Sequence, residues 1–540
     1  MSRKPACRLL RISGVAILAA VLVGGRSRPE TLYKATELGS GNISFSHPSG
    51  FYREPFYLKI KAPSKEVYYT LDGSEPTRDS LRYEGPIYIG DASENENVLS
   101  LGEDISTESV TYPQEKVDKC TVIRVRYYDR LGGSEMTAGS YFVGFSQKPG
   151  YEGCHVVSLI TDPAGLMDPE TGIYVKGDSY TGDDWSGNYY NRGMDWERKA
   201  SFQYFDEAGV LRAASACGIR IKGNWSRRLP QKSLNLFARK QYSGLKEFRY
   251  DFWGTGYFPD TMTLHSGGND TDGKLQNRLV AELCQGMDFS THHYVPSCQV
   301  FLNGEYWGLY DLTEGYTAHY VSATYQVPEK AVVTVKSSVL EEGDAHRGEE
   351  LVSALNGFTN YTDFTQPENW EALAQTIDLD SLVQYYAVMI YCGRHIDWPV
   401  ENTQLWRTVT PSAGFGDGKW RYMLYDMDSP GLTVPYIHHD TLETTLEASA
   451  FFRNLWENEE FRSLLGQALL DLSETTFAPD RVESVLTQLR SSMEGPMALH
   501  DRRWYSTGLE DFYKKTDSNL KFFRERPEAI RQILAKYGLP

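Results

Sequence analysis

The residues best suited to chemistry in this 540-residue chain fall into three groups. Each answers one requirement of phosphoryl transfer, which needs a clamp for a triphosphate, carboxylates for a divalent metal, and a group that orients the attacking hydroxyl. Arg220, Lys222, Arg227, Arg228 and Lys232 gather around Gly223-Asn224, where one alternating strand runs into a turn and a second strand leaves through Ser233-Leu-Asn-Leu-Phe237. Such a basic turn can clamp phosphates, or it can be a solvated hairpin. Asp426 and Asp428 close the apolar run that starts at Lys419-Trp-Arg-Tyr-Met. Two apart in an extended chain, they share one side. Mg²⁺ takes one or two carboxylates and fills its octahedron with phosphate oxygens and water, so the pair suits it; a turn with solvated aspartates is the plain alternative. The third group is Asp397 and Asn402, five residues apart in Arg394-His-Ile-Asp-Trp-Pro-Val-Glu-Asn402.

Other chemistries find less support. His395 stands near Asp397, but no Gly-x-Ser-x-Gly elbow accompanies it, and nearness in sequence does not make a triad. A glycosidase pair of carboxylates has no specific signal in so acidic a chain. A calcium loop of the D-x-D-x-D-G type is missing from the sequence.

Gly223-Asn-Trp-Ser-Arg227 followed by Pro230-Gln-Lys-Ser233 resembles the G-N-x-S-R-x-x-P-K-K-S block of the CotH (spore-coat protein H) family of atypical protein kinases. Gln231 stands where that family commonly has Lys. His265-Ser-Gly-Gly-Asn-Asp270, the helix-like Lys274–Leu283, Asn303-Gly-Glu-Tyr-Trp-Gly-Leu-Tyr-Asp-Leu312, the segment around Asp397 and the Asp426-Met-Asp428 pair extend the likeness over roughly 155–540. Glu401 replaces an expected Asn. The resemblance implies that Lys232, with Arg227 and Arg220, contacts phosphate, and that Glu282 pairs with a phosphate-binding Lys as a kinase helix glutamate does. It implies that Asp397 is the catalytic acid/base, as in the kinase catalytic loop with the same Asp-to-Asn spacing. Asn402, Asp426 and Asp428 then hold metal. The implied cofactors are ATP with Mg²⁺ or Mn²⁺, and the implied partner is an exported or surface protein phosphorylated on Ser or Thr.

The elements that must position these residues can be read coarsely. Short alternating runs between about Gly41 and Phe145, with Tyr68-Tyr-Thr-Leu-Asp-Gly-Ser-Glu-Pro-Thr77 entering an Asp-Gly turn, predict a small β module. They resemble the chitobiase/β-hexosaminidase C-terminal type of β-sandwich, which implies either a spacer or attachment to cell-wall polysaccharide. From Leu442 onward apolar residues recur at helical spacing, and Pro527 is expected at a helix start. The expected fold is α+β: a sandwich over 41–147, then an atypical protein-kinase-like domain over 150–540 with a helical C-terminal part.

A net charge of −17 argues against nucleic acid as a partner and requires a local cationic cluster wherever a nucleotide binds. Residues 1–30 carry a basic head and an apolar run over 14–25, which predicts a signal peptide or signal anchor and a secreted or cell-surface protein. Any membrane contact is expected through that segment alone. Seven cysteines without CxxC spacing predict no structural zinc and no particular disulfide. Two rival functions stay open: a catalytically silent structural coat or surface protein, and a cell-wall or glycan-binding protein.

Overall fold

The computed structural model describes residues 42–539 apart from 131, 135 and 430. The signal segment expected over 1–30, with Cys7, lies outside the described residues. No helix among the described residues is long and apolar enough to cross a membrane.

Thr121–Asp129 is the organising strand of the N-terminal part, because both its faces are apolar. It lies between Thr137–Val143 and Glu66–Thr70 in a six-stranded sheet, and the strand pairs Ser44–Phe45/Ile60–Lys61 and Phe56–Leu58/Ile87–Ile89 complete the sandwich. Ile123, Val125, Tyr141 and Val143 turn inward against Leu58, Ile60 and Ile89. The alternate residues Val122, Ala138 and Phe142 turn the other way, against Val156, Ile160, Phe205 and Phe301 of the next sheet. Phe142 lies at the middle of that contact, with ring centroids 4.5 Å from Phe51, 5.0 Å from Phe301 and 5.2 Å from Phe205. Polar clamps flank it. The Glu305 carboxylate accepts the backbone N–H of Val98, Leu99 and Ser100 at 2.6, 3.2 and 2.8 Å.

Seven strands then close into a barrel in the order Val156–Thr161, Arg198–Phe205, Leu211–Lys222, Ser233–Phe237, Thr261–His265, Glu305–Glu314 and Tyr294–Leu302. All pairs are antiparallel except the closing one between Val156–Thr161 and Tyr294–Leu302. Period-2 alternation fills the inside with Phe202, Ile219, Ile221, Leu234, Leu236, Met262, Leu264, Val300 and Leu312. Asn303-Gly304 makes the last hairpin turn with φ of 47° and 90°, as an Asn-Gly type I′ turn requires.

A four-stranded antiparallel sheet follows, ordered Val339–Glu342, Val332–Lys336, Gln404–Thr408, Arg421–Met423. It packs with the helices Leu379–Tyr391, Glu459–Glu474, Pro479–Trp504 and Glu510–Lys536 around the largest apolar cluster. Pro527 is not a helix start: it sits inside the helix Glu510–Lys536. A proline there removes one ladder bond at roughly 3 kcal/mol. Burial on either side offsets it, and Arg526, fully buried, donates to the carbonyls of Tyr391, Ile390 and Ile437 at 2.9, 3.0 and 2.6 Å. The six described cysteines are all free and buried.

Because one aromatic layer serves both sandwich and barrel, the two should melt together. Phe142→Ala is expected to cost about 3–5 kcal/mol. In calorimetry it should lower a single transition rather than split off a sandwich transition that leaves the barrel unaffected.

Candidate active site

The pairing of Gln404 with Met423 decides which residues meet. In an antiparallel pair, the residues just before Gln404 and just after Met423 emerge at the same end. Asn402 and Asp426 therefore come together, and the Asn402 Nδ2 donates to Asp426 Oδ2 at 2.6 Å. The pair is anchored on both sides. Ser381, one turn into the helix Leu379–Tyr391, accepts the Tyr422 N–H at 3.0 Å, and Asn277 of the helix Gln276–Leu283 accepts the Met427 N–H at 2.6 Å. Asp397, Asn402 and Asp426 hold φ of 65°, 53° and 58°. Such backbone costs of order 1–3 kcal/mol for most residues and less for Asn or Asp, and it concentrates where function fixes a side chain.

The facing wall is the outer surface of the barrel. Since Ile219, Ile221, Leu234 and Leu264 point in, their neighbours Arg220, Lys222, Ser233, Thr263 and His265 point out. Arg220 pairs with Asn235, Asn235 with Thr263 and Thr263 with Thr313, while Lys222 pairs with Ser233 and His265 with Asp311. The result is a polar patch on an otherwise apolar sheet. Lys222 Nζ donates to Thr263 Oγ1 at 2.9 Å and lies 6.0 Å from the Tyr425 ring. Lys336, from the four-stranded sheet, donates to the Tyr425 hydroxyl at 3.0 Å. His265 Nε2 stands 3.8 Å from Asp428 Oδ2.

Burial, followed by the positive charge of Lys336, pulls the Lys222 ammonium down to about 8. Asp426 is pushed up to about 6 by burial and then by Asp428, with Arg394 and His265 opposing. Asp428 is also raised, by burial and by Asp270. Arg394 is fully buried, 3.9 Å from Asp426 Oδ2, and its guanidinium nitrogens have no hydrogen-bond partner among the described residues. Asp428 Oδ1 is likewise buried and unpartnered.

A buried carboxylate oxygen without a partner, beside a second carboxylate raised by it, is a site that a cation would complete. Asp426, Asp428 and the free Oδ1 of Asn402 fit Mg²⁺ or Mn²⁺. Among the described residues no group of three or more His, Cys, Asp or Glu side chains could hold a metal. The remaining ligands would thus be phosphate oxygens and water, the usual Mg²⁺ arrangement.

Four of the residues expected to bind the cofactor are engaged elsewhere. Lys232 is fully buried; its Nζ donates to the carbonyls of Arg227 and Leu229 at 2.6 and 2.7 Å and lies 4.1 Å from the Tyr189 ring. It holds the turn closed from inside. Arg227 donates to the carbonyls of Gly223, Tyr189 and Ile221 at 2.7, 2.7 and 2.8 Å. Arg220 stacks 4.2 Å over Phe237 and pairs with Glu197 at 3.4 Å. Glu282 pairs with Arg278, one helical turn away, at 2.7 Å rather than with a lysine. Lys222, from the same basic cluster, is the barrel cation that faces Asp426. Lys336, His265 and Arg394 were not foreseen. Asp397 is exposed on the loop beside Asn402, and its carbonyl accepts the Glu401 N–H at 2.5 Å.

A closed β-barrel joined to a helical part, with an amide and two aspartates gathered at the seam, defines the class. The family model described as CotH kinase protein matches residues 219–530, more than half of the chain, and the chain belongs to that family. A second model, the chitobiase/beta-hexosaminidase C-terminal domain, matches residues 47–111 of the sandwich. No curated protein matches the chain.

Folding raises both carboxyl groups, so their ionisation opposes folding: metal-free protein should be most stable below about pH 4 with respect to these groups and lose that contribution as pH rises through 6. Asp426→Asn cannot ionise. In chelator near pH 7.5 it should melt higher than the unaltered protein, by on the order of 1–3 kcal/mol, with the gap closing near pH 4. A variant less stable at both pH values would contradict the repulsion.

Proposed function

We propose that this protein transfers the γ-phosphoryl group of ATP to Ser or Thr hydroxyls of exported or surface proteins. The observation that carries the reading is the convergence of Asn402, Asp426 and Asp428 opposite Lys222. Bound Mg²⁺ or Mn²⁺ would neutralise phosphate charge and align the leaving group. Lys222, already short of a carboxylate partner at hydrogen-bond distance, contacts a phosphate oxygen and supplies the local positive charge that a −17 chain requires. Asn402 fixes the orientation of Asp426 through its amide hydrogen. Asp397, exposed on the loop that leads to Asn402, accepts the proton of the acceptor hydroxyl as its oxygen bonds to phosphorus and the bond to ADP breaks. Arg394 lies behind Asp426 and offsets part of the repulsion from Asp428. The resemblance of residues 1–30 to an export signal supports acceptors outside the cytoplasm.

The test pairs titration calorimetry of ATP with Mg²⁺ or Mn²⁺ with a phosphotransfer assay on a Ser/Thr peptide mixture. Lys222→Met should fold normally and lose about 10²-fold or more of the transfer rate. Asp397→Asn should keep nucleotide binding and lose about 10²–10⁴-fold in rate. Lys232→Met should instead show its effect as lost thermal stability. Metal-independent binding, or full activity in Lys222→Met, would overturn this assignment of the site, and absence of both binding and transfer in the folded protein would favour the silent structural protein.

One observation favours a second role for the sandwich. Tyr57 and Tyr88 face each other across paired strands, 62% and 61% exposed, with ring centroids 5.6 Å apart. Exposed aromatic rings of this kind can pack on sugar faces. If they hold a glycan, the full protein should sediment with insoluble cell-wall polysaccharide, and Tyr57→Ala/Tyr88→Ala should remain in the supernatant. Equal sedimentation of both would remove the glycan reading.

A further inference from the structure

A cleft of about 360 Å³ lies where the segment 113–118, Tyr306 of the barrel and the end of the helix Pro479–Trp504 meet. It shares no residue with the Asp426 site. Its charged wall residues differ in how well they are satisfied. Asp118 accepts from Lys148 at 2.9 Å and from the Tyr151 hydroxyl at 3.0 Å. Asp501 is saturated by the N–H and hydroxyl of Thr507 at 3.0 Å each and the Gly508 N–H at 2.8 Å. Lys116 pairs with Glu96 at 3.0 Å. The two arginines of the wall have no such partners. Arg503 is 2% exposed, and its Nε, Nη1 and Nη2 have no hydrogen-bond partner among the described residues. Its guanidinium lies 3.8 Å from the Trp504 ring and 4.8 Å from Trp307, contacts that provide packing and no acceptor. Arg502, next to it, is exposed and makes no hydrogen bond or ion pair among the described residues.

A buried guanidinium with nothing to accept its hydrogens is costly, and an entering anion removes that cost. Arg502, Arg503 and Tyr306 all line the cleft, and the charges of both arginines act on the Tyr306 phenol. Exposed Glu115 is the one acid of the wall with no saturating partner, so the unpaired charge is positive. The volume holds a small anion or the acidic end of a longer molecule.

From these observations we infer that the cleft binds a small anionic ligand through a phosphate or carboxylate group, with Arg502 at the mouth and Arg503 at the back. The ligand bridges sandwich, barrel and C-terminal helix, the three parts whose packing also shapes the seam holding Asp426.

The test titrates inorganic phosphate and, separately, succinate into the full chain at constant ionic strength, with chloride as the control, by calorimetry and thermal shift. Saturable binding is expected for at least one of the two, and the tighter one distinguishes a phosphate from a carboxylate ligand. Arg502→Gln, which changes only an exposed side chain, should weaken it at least tenfold. Arg503→Met should abolish it while the protein still folds, since an apolar side chain of similar volume relieves the buried charge, and Arg503→Lys should retain part of it. No saturable binding of either anion, or equal affinity in Arg502→Gln and Arg503→Met, would overturn the inference.

Discussion

Asp426 and Asp428 are like charges two residues apart in a setting that withdraws both from water, and the surrounding structure is organised about their repulsion. Three basic groups face the pair: Arg394 from behind, with Lys222 and His265 from the barrel. Yet His265 itself is pulled down to about 4 by burial and then by Lys222, so it is neutral near pH 7 and contributes no charge there. Arg394 and Lys222 are left facing the two carboxylates, neither of them hydrogen-bonded to either, and an unpartnered Asp428 oxygen remains. A site frustrated in this way when metal-free is one whose folding energy and ligand affinity are linked, because whatever binds the folded form alone stabilises it.

The geometry that creates this frustration depends on rigid support rather than on the loop carrying it. The Gln404–Met423 register fixes the Asn402–Asp426 contact, and the barrel presents Lys222 to it from a strand whose opposite face is locked into the apolar interior. The sandwich contributes at a distance. Its aromatic layer shares Phe205 and Phe301 with the barrel, so a shift of the sandwich would disturb strands that also carry the polar patch. Close-packed interiors have low compressibility and transmit strain, which makes the sandwich a brace and not a loosely attached module.

Much of this was legible in the sequence where a local rule fixes the outcome. Alternation marked strands on either side of Gly223-Asn224, which extend over Leu211–Lys222 and Ser233–Phe237, and the apolar recurrence after Leu442 marked helix. Ordered blocks identified the family. The sequence is less informative where burial outranks local pattern. Lys232 matched a family lysine, but a turn can fold its own lysine inward, and only three-dimensional packing shows the ammonium spent on the Arg227 and Leu229 carbonyls. The parity of Ile219 and Ile221 could have singled out Lys222, since the inward apolar residues force it outward. Arg394 and Lys336 carried no such signal: a lone arginine before a loop and a strand lysine become significant only through partners distant in sequence. Pro527 misled for the same reason, since tertiary burial of Phe522, Phe523, Ala529 and Ile530 holds the helix through a residue that would end it in isolation.

The most direct test of the central claim is a crystal structure with Mn²⁺ and a non-hydrolysable ATP analogue, with the metal located by its anomalous signal. The account predicts Mn²⁺ bound by Asp426 and Asp428 with the Asn402 Oδ1 turned toward it, Lys222 Nζ on a phosphate oxygen, and Lys232 still donating inside its turn. Mn²⁺ located elsewhere, or a phosphate held by Lys232 with Lys222 left on Thr263, would contradict it.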